Sequence, residues 1–117
     1  GRLAVVIAGE PEIFPINFVV DGHSLVFRTA EGTKLFGITA SPRVALESDG
    51  YDAGSGEAWS VVVKGLAEQL DRFPDIYAAE ELPLYPWQAG TKQWFVRIAR
   101  TTLTGVRFPV VRGPRED

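Results

Sequence analysis

The chain has 117 residues, a net charge of −3 at pH 7, 45% hydrophobic residues and 23% charged residues. This length and composition are typical of one globular domain and exclude an intrinsically disordered chain. The sequence has no Cys and a single His, His23. Disulfides, thiolate nucleophiles, Cys-based zinc or iron–sulfur sites and a two-His metal site within one chain are therefore excluded.

Charge and hydropathy also limit the partners of the chain. Binding to nucleic-acid phosphates needs a surplus of Lys and Arg on one face, whereas acidic residues outnumber basic ones here, so we expect no nucleic-acid partner. No apolar run approaches the roughly 18 residues that a membrane span needs, so we expect no membrane partner and a cytoplasmic location. Because Met is absent even from position 1, we expect the sequence to begin inside a longer gene product.

The first half of the chain predicts four strands in close succession, followed or separated by turn signals. Pro15 lies inside the second of them and marks an edge, a bulge or a place where another group approaches the backbone. Leu35 and Ile38, three residues apart, predict a short helix that ends at Ser41-Pro42. The predicted strands are residues 3–8, 13–20, 24–29 and 43–48.

The second half predicts three more strands and a second short helix. A glycine-rich stretch at 49–57 predicts a flexible hairpin tip, and a helix at 70–79 is predicted to be broken by Pro74. Two prolines make residues 82–87 an irregular loop. The predicted strands are residues 58–70, 93–99 and 105–111, the last two joined near Thr104-Gly105.

Seven strands at hairpin spacing imply antiparallel neighbours, and a small closed or split barrel would remove their exposed edges. The sequence therefore predicts a mainly β fold, an antiparallel barrel with two short helices. We expect a single domain over residues 1–111 and a polar C-terminal tail at 112–117, since no repeat or linker interrupts the pattern.

The stretch 27–35 is the most informative for function. A strand ends with Arg28 and Thr29, a glycine turn follows, and a helix begins with Thr33 and Lys34. Arg28 can grip a phosphate with two parallel donors, Lys34 adds a point charge, and the free N–H groups of a helix start favour an anion. These residues form either a cradle for one phosphate or a helix cap with two solvated cations.

A proline and an amide inside an apolar strand form the second candidate. A buried Asn needs hydrogen-bond partners, so Asn17 either binds the edge of a ligand or satisfies a neighbouring backbone group. Arg97 either faces a ligand carboxylate or phosphate or lies on a solvated face, and His23 is expected at the surface. Three tryptophans, Trp59, Trp87 and Trp94, either wall a flat ring or belong to the core.

Taken together, these residues resemble the pyridoxamine-5′-phosphate-oxidase-like FMN-binding split barrels. The branch that includes the nitroimidazole-reductase-like proteins is the more similar one. The resemblance runs from residue 1 to about 108 through the stretches 1–5, 15–18, 27–35, 59–65 and 94–98. Two features depart from the family pattern: a helix before the first strand is missing, and the basic side chains that grip pyridoxal phosphate are not recognisable. The resemblance therefore implies flavin binding rather than vitamin B6 oxidation.

The resemblance implies FMN as cofactor, with its phosphate at the strand end and helix start and its ring beside the Pro-x-Asn segment. It also implies a homodimer with FMN at the subunit interface, where residues near Trp87 and Trp94 would serve the partner's site. No catalytic residue and no metal ligand is assigned. The implied cofactor-binding residues are Pro15, Ile16, Asn17, Phe18, Phe27, Arg28, Thr29, Thr33, Lys34, Trp59 and Ser60.

The function implied is that of an FMN-dependent oxidoreductase acting on a small molecule. The flavin carries the reactive atoms, so few titratable side chains are needed. Two alternatives remain: a reductase of the same fold that uses a deazaflavin coenzyme, and a non-catalytic module that stores or senses flavin.

Overall fold

Seven strands and two helical segments make up the residues that the structure describes. The structure is a computed structural model and describes residues 1–29, 37–84 and 94–110. Residues 37–40 are helical. The other elements are β1 (Arg2–Ile7), β2 (Glu10–Pro15), β3 (Phe18–Asp21), β4 (Ser24–Thr29), β5 (Arg43–Asp52), β6 (Glu57–Gln69), α1 (Phe73–Glu80) and β7 (Trp94–Pro109).

All strands belong to one antiparallel sheet in the order β2-β1-β5-β6-β7-β4-β3. The two edge strands, β2 and β3, are consecutive in sequence and are joined only by residues 16–17, so both edges of the sheet meet at that corner. Ile16 donates a backbone hydrogen bond to the Gly1 carbonyl (2.9 Å), and the Gly1 amino group donates to the Ile16 carbonyl (3.2 Å). These two bonds extend the β1–β2 ladder by one pair, and the fold is the predicted antiparallel split β-barrel.

Alternation along the strands fills the barrel with apolar side chains, since successive residues point to opposite faces. On β1, for example, Leu3 and Val5 are buried whereas Arg2 and Val6 are exposed. Burial of each side chain of this size stabilises the folded state by about 1.5–3 kcal/mol relative to leaving it exposed. The buried cluster comprises Leu3, Val5, Ile16, Leu25, Phe27, Ile38, Val44, Leu46, Val63, Ala67, Val96 and Ile98.

A second, smaller core lies on the outside of β4 and β7. Val26 and Phe95 are the strand residues of this cluster, which also contains Leu70, Ala79 of α1 and Leu84. Helix α1 thus covers one outer face of the barrel. This packing places Leu84 beside the end of β4, where its carbonyl oxygen accepts a hydrogen bond from Arg28.

Two predicted strands differ from the structure. The single strand predicted at 13–20 is wrong: β2 ends at Pro15 and β3 begins at Phe18, because the chain passes there from the ladder with β1, which Ile16 still continues opposite Gly1, to the ladder with β4, which begins at Phe18. The two strands predicted at 93–99 and 105–111 are one strand, β7. Gly105 does not start a turn there, because it lies extended opposite Val61 of β6.

The helix predicted at 70–79 to be broken by Pro74 is also wrong. Pro74 lies in the first turn of α1, where a missing N–H costs nothing because the first N–H groups of a helix have no partner within the helix. The hairpin tip is shorter than predicted, since β5 continues to Asp52 and β6 begins at Glu57. The helix start near Leu35, the loop from residue 85 and the tail at 112–117 lie outside the described residues.

Candidate functional site

Arg28 lies near the end of β4, opposite Phe95 of β7. Its guanidinium carbon is 4.7 Å from the centroid of the Phe95 ring, and its Nη1 donates to the carbonyl oxygen of Leu84 at 3.0 Å. The Arg28 Nε is buried and has no hydrogen-bond partner among the described residues. The Arg28 side chain as a whole is only half-buried, so part of this fixed cation remains accessible to an anionic ligand.

The neighbours of Arg28 on β4, Phe27 and Thr29, both point to the face of the sheet opposite Arg28. Thr29 is buried, only 4% exposed, and is adjacent to Arg28 in sequence. Phe27 is fully buried in the barrel core, so only its backbone is available to a ligand. Thr33 and Lys34, which complete the predicted phosphate cradle, lie outside the described residues.

The Pro-x-Asn segment forms the corner where the barrel closes. Asn17 is exposed, Phe18 is half-buried and Ile16 belongs to the core, so Asn17 does not need the buried partners considered for it. A cavity of about 350 Å³ lies at this corner. Its lining is Gly1, Ile16, Asn17, Phe18, Pro83 and Leu84.

Leu84 connects the two candidates, since it lines the corner cavity and also accepts the hydrogen bond from Arg28. The structure thereby brings Arg28 and the segment from Ile16 to Phe18 to the same region of the barrel. A half-buried cation near a cavity bordered by an amide and an aromatic ring has the chemistry needed for a phosphate attached to a flat ring. The residues present therefore fit a phosphate-bearing flavin.

Trp59 and Ser60 lie far from this corner within one chain. Ser60 pairs with Val106 of β7, whereas Arg28 pairs with Phe95, eleven residues earlier on the same strand. At ~3.3 Å per residue this separation is roughly 36 Å along β7. One chain therefore does not bring these two groups of predicted site residues together.

Trp59 has a defined position on the sheet. Its ring lies across Gly50, its partner on β5, so that a Cβ added at Gly50 would stand 2.6 Å from Trp59 Cζ2. The glycine leaves room for the indole on that face of the hairpin. Trp59 is therefore a surface residue of the β5–β6 hairpin and does not belong to the barrel core.

The other candidates have structural partners or stay at the surface. Arg97 forms an ion pair with Asp21 (3.0 Å) and donates to the Ser24 hydroxyl, so it ties the β3–β4 hairpin to β7 and matches neither the ligand-facing nor the solvated interpretation. His23 is exposed at that hairpin, as predicted. Trp94 is half-buried at the start of β7, and Trp87 lies outside the described residues.

Two contributors to the site were missed by sequence reasoning. The Arg28 guanidinium lies over the ring of Phe95. This contact is predictable only when the pairing of β4 with β7 is known. The Leu84 carbonyl has no sequence signal, because any residue offers a backbone oxygen. In the described part of the chain, no group of three or more His, Asp or Glu side chains is placed to hold a metal ion, and no helix is long and apolar enough to cross a membrane.

The chain is similar in sequence to known proteins over most of its length. The family model described as pyridoxamine 5′-phosphate oxidase matches residues 1–111. An uncharacterised protein of Mycobacterium tuberculosis is 39% identical over 99 residues, which are 85% of this chain and 86% of that protein.

Several solved structures are similar to this chain in both fold and sequence. A pyridoxamine 5′-phosphate oxidase homologue from Corynebacterium glutamicum is 39% identical, with a TM-score of 0.81 over 93% of this chain and 84% of that chain. An FAD-binding protein from Mycobacterium smegmatis is 36% identical, with a TM-score of 0.77 over 94% of this chain and 86% of that chain. An F420 reductase is more distant, at 25% identity and a TM-score of 0.62 over 88% of this chain and 86% of that chain.

Proposed function

The chain belongs to the pyridoxamine 5′-phosphate oxidase family, and we propose that it is an FMN-binding oxidoreductase that acts on a small molecule. The observation that carries this proposal is the Arg28 guanidinium. It is held by the Phe95 ring and by the carbonyl oxygen of Leu84, which also lines the corner cavity, and the Arg28 side chain is only half-buried, so an anion can reach it. The fold is one that binds flavins, and the FAD-binding protein from Mycobacterium smegmatis supports a flavin as the ligand class.

The residues of this chain would bind and orient the cofactor. Arg28 donates to the phosphate, with Thr29, Thr33 and Lys34 completing the cradle. Asn17 and the corner cavity would hold the edge of the ring. When bound, the flavin supplies hydride or electron transfer, which agrees with the scarcity of titratable side chains in this corner.

The distance between Arg28 and Ser60 supports a homodimer with the cofactor at the subunit interface. A flavin mononucleotide is shorter than the roughly 36 Å of strand that separates the partners of these residues on β7. Trp59 and Ser60 of one subunit therefore contribute to the site only if they meet Arg28 of a second subunit. The end of β7 has apolar surface for such a contact, since Leu103, Val106 and Phe108 are exposed.

A deazaflavin coenzyme is the second candidate, favoured by the similarity to the F420 reductase. Its phosphate would use the same Arg28, but its longer acidic tail needs additional basic groups. Titration of the purified protein with FMN, FAD and the deazaflavin coenzyme separates these ligands, because each changes its absorbance or fluorescence on binding. We expect FMN to bind in the micromolar range or tighter.

The absorbance spectrum of the purified protein provides the first test. Flavin bands, or binding of added FMN, would support the proposal, whereas no bands and no binding of any of these ligands would overturn it. Stopped-flow reduction by NADH or NADPH then distinguishes an enzyme from a storage module, which should show no turnover.

Changing both Arg28 and Lys34 to Ala tests the placement of the phosphate. The loss of two charged hydrogen bonds should weaken FMN binding by about 3 kcal/mol or more, roughly a hundredfold. Arg100→Ala is the matched control, since Arg100 is exposed beside His23. Equal affinity of the double variant and the control would show that the phosphate lies elsewhere.

A further inference from the structure

A second cavity lies on the outer face of the sheet and shares no lining residue with the corner cavity. Its volume is about 520 Å³. Ala4 and Ala45 face each other in register there, and the larger side chains Val6 and Leu66 are 40% and 47% exposed. Two small residues between larger ones leave a trough. Its size and mainly apolar lining are typical of small-molecule sites.

Two cations, Arg43 and Lys64, lie at this trough on neighbouring strands. Arg43 pairs with Leu66 and Lys64 pairs with Ala45, so the two cations occupy diagonal positions on one face. The Cα atoms of diagonal neighbours of this kind are roughly 7–8 Å apart, so the two positively charged side chains lie in the same part of the face. Across residues 1–29, 37–84 and 94–110, neither cation forms an ion pair.

Two carboxylates on the same face of β5, Glu47 and Asp49, are paired with Arg2. Arg2 Nη1 lies 2.7 Å from Glu47 Oε1 and 3.5 Å from Asp49 Oδ2. Glu68, the next residue beyond Leu66 on this face of β6, is exposed and diagonal to Arg43 but does not line the trough, so the charged side chains of the lining are the two cations. The backbone at Lys64 is also fixed, since the Thr101 hydroxyl donates to the Lys64 carbonyl at 3.0 Å beside a bulge at Lys64/Gly65.

We propose that this trough binds a small amphipathic anion, a carboxylate attached to an apolar chain or ring. The acid group lies between Arg43 and Lys64, where it accepts charged hydrogen bonds. The apolar part covers Ala4, Ala45 and Leu66, which are otherwise in contact with water. This site goes beyond the proposed flavin function and does not depend on it.

Octanoate is the probe for this proposal, and 1-octanol provides the same chain without the charge. Titration of the ¹⁵N-labelled full chain should give saturable amide shifts at residues 43–45, 64–66 and 101–102. The corner residues 16–18 should not move. We expect octanol to bind roughly tenfold more weakly than octanoate, as the loss of a charged hydrogen bond implies. Absence of saturable shifts, or shifts at the corner only, would overturn the proposal.

Variants locate the acid group. Arg43→Gln and Lys64→Gln remove one charge each at exposed positions, so the fold should be kept, and each should weaken octanoate binding roughly tenfold. Arg100→Gln, also exposed but not part of the trough lining, should leave binding unchanged. Equal binding in all three variants would contradict the assignment of the anion to Arg43 and Lys64. Flavin binding is measured separately, so failure of one proposal is distinguishable from failure of the other.

Discussion

At the scale of single residues, Arg28 is held in place by two groups from distant parts of the chain, the Phe95 ring and the Leu84 carbonyl oxygen. A basic residue before a glycine turn predicts an anion site, but the sequence alone does not show these two contacts. For Asn17, the predicted environment differs from the observed one. Its position in an apolar run predicted burial, whereas the corner between β2 and β3 leaves it exposed.

Gly65 is a residue whose small size the sheet requires. An added Cβ would overlap the carbonyl oxygen of Ala99 and stand 2.9 Å from Ile98 Cγ2. We expect Gly65→Ala to lower the free energy of unfolding by about 1–3 kcal/mol, because a backbone atom cannot give way as a flexible side chain can. Urea denaturation followed by circular dichroism measures this change.

Gly105→Ala is the matched control on the same pair of strands. Its Cβ would lie 3.5 Å from the Ser60 carbonyl oxygen, an ordinary contact. The free energy of unfolding should be unchanged or slightly higher, since alanine restricts the unfolded chain. If both variants lose the same stability, the close approach at Gly65 is not what requires glycine there.

At the scale of elements, hydrophobic runs predicted where strands lie but not where they end. β6 was predicted as residues 58–70 and extends over Glu57–Gln69, because a long alternating pattern is a strong signal. The errors fell at glycine and proline, whose effect depends on position. Gly105 continues β7, Pro15 ends β2 and Pro74 opens α1.

Helix α1 allows a test of this positional effect. Ala78 is exposed in the last turns of the helix, so Ala78→Pro removes a backbone donor and clashes with the preceding turn without changing the core. We expect a loss of about 3 kcal/mol in the free energy of unfolding. Pro74→Ala should cost less than about 1 kcal/mol. Equal losses in urea denaturation would contradict the assignment of Pro74 to the first turn.

At the scale of the whole molecule, the barrel was predictable because seven strands at hairpin spacing leave few other arrangements. The closure was not, since it depends on the two-residue corner at 16–17, where the chain passes from the ladder with β1 to the ladder with β4. The single chain also leaves the end of β7 with one neighbour strand, β6, because β4 pairs only as far as Ala99. This part of β7, residues 100–109, is called the arm, and it is the surface that the proposed dimer would use.

Val106→Asp tests the dimer. Val106 lies on the arm, opposite Ser60 of β6, and is 62% exposed. The variant chain should therefore fold normally, whereas the new charge should disfavour apolar contact with a second chain. Sedimentation should show a dimer for the unmodified chain and a monomer for the variant, with weaker flavin binding. Ile13→Asp, 68% exposed on β2, should remain dimeric. An unmodified chain that sediments as a monomer would contradict the shared site.

The central claim is that Arg28 binds the phosphate of a flavin, and one set of titrations tests it most directly. FMN and riboflavin differ only in the phosphate, so their affinities are compared for the unmodified chain and for Arg28→Ala. We predict that the unmodified chain binds FMN at least roughly tenfold more tightly than riboflavin, the effect of one charged hydrogen bond. In Arg28→Ala this preference should be greatly reduced, with riboflavin binding unchanged. A variant that keeps the full preference for FMN would contradict the account.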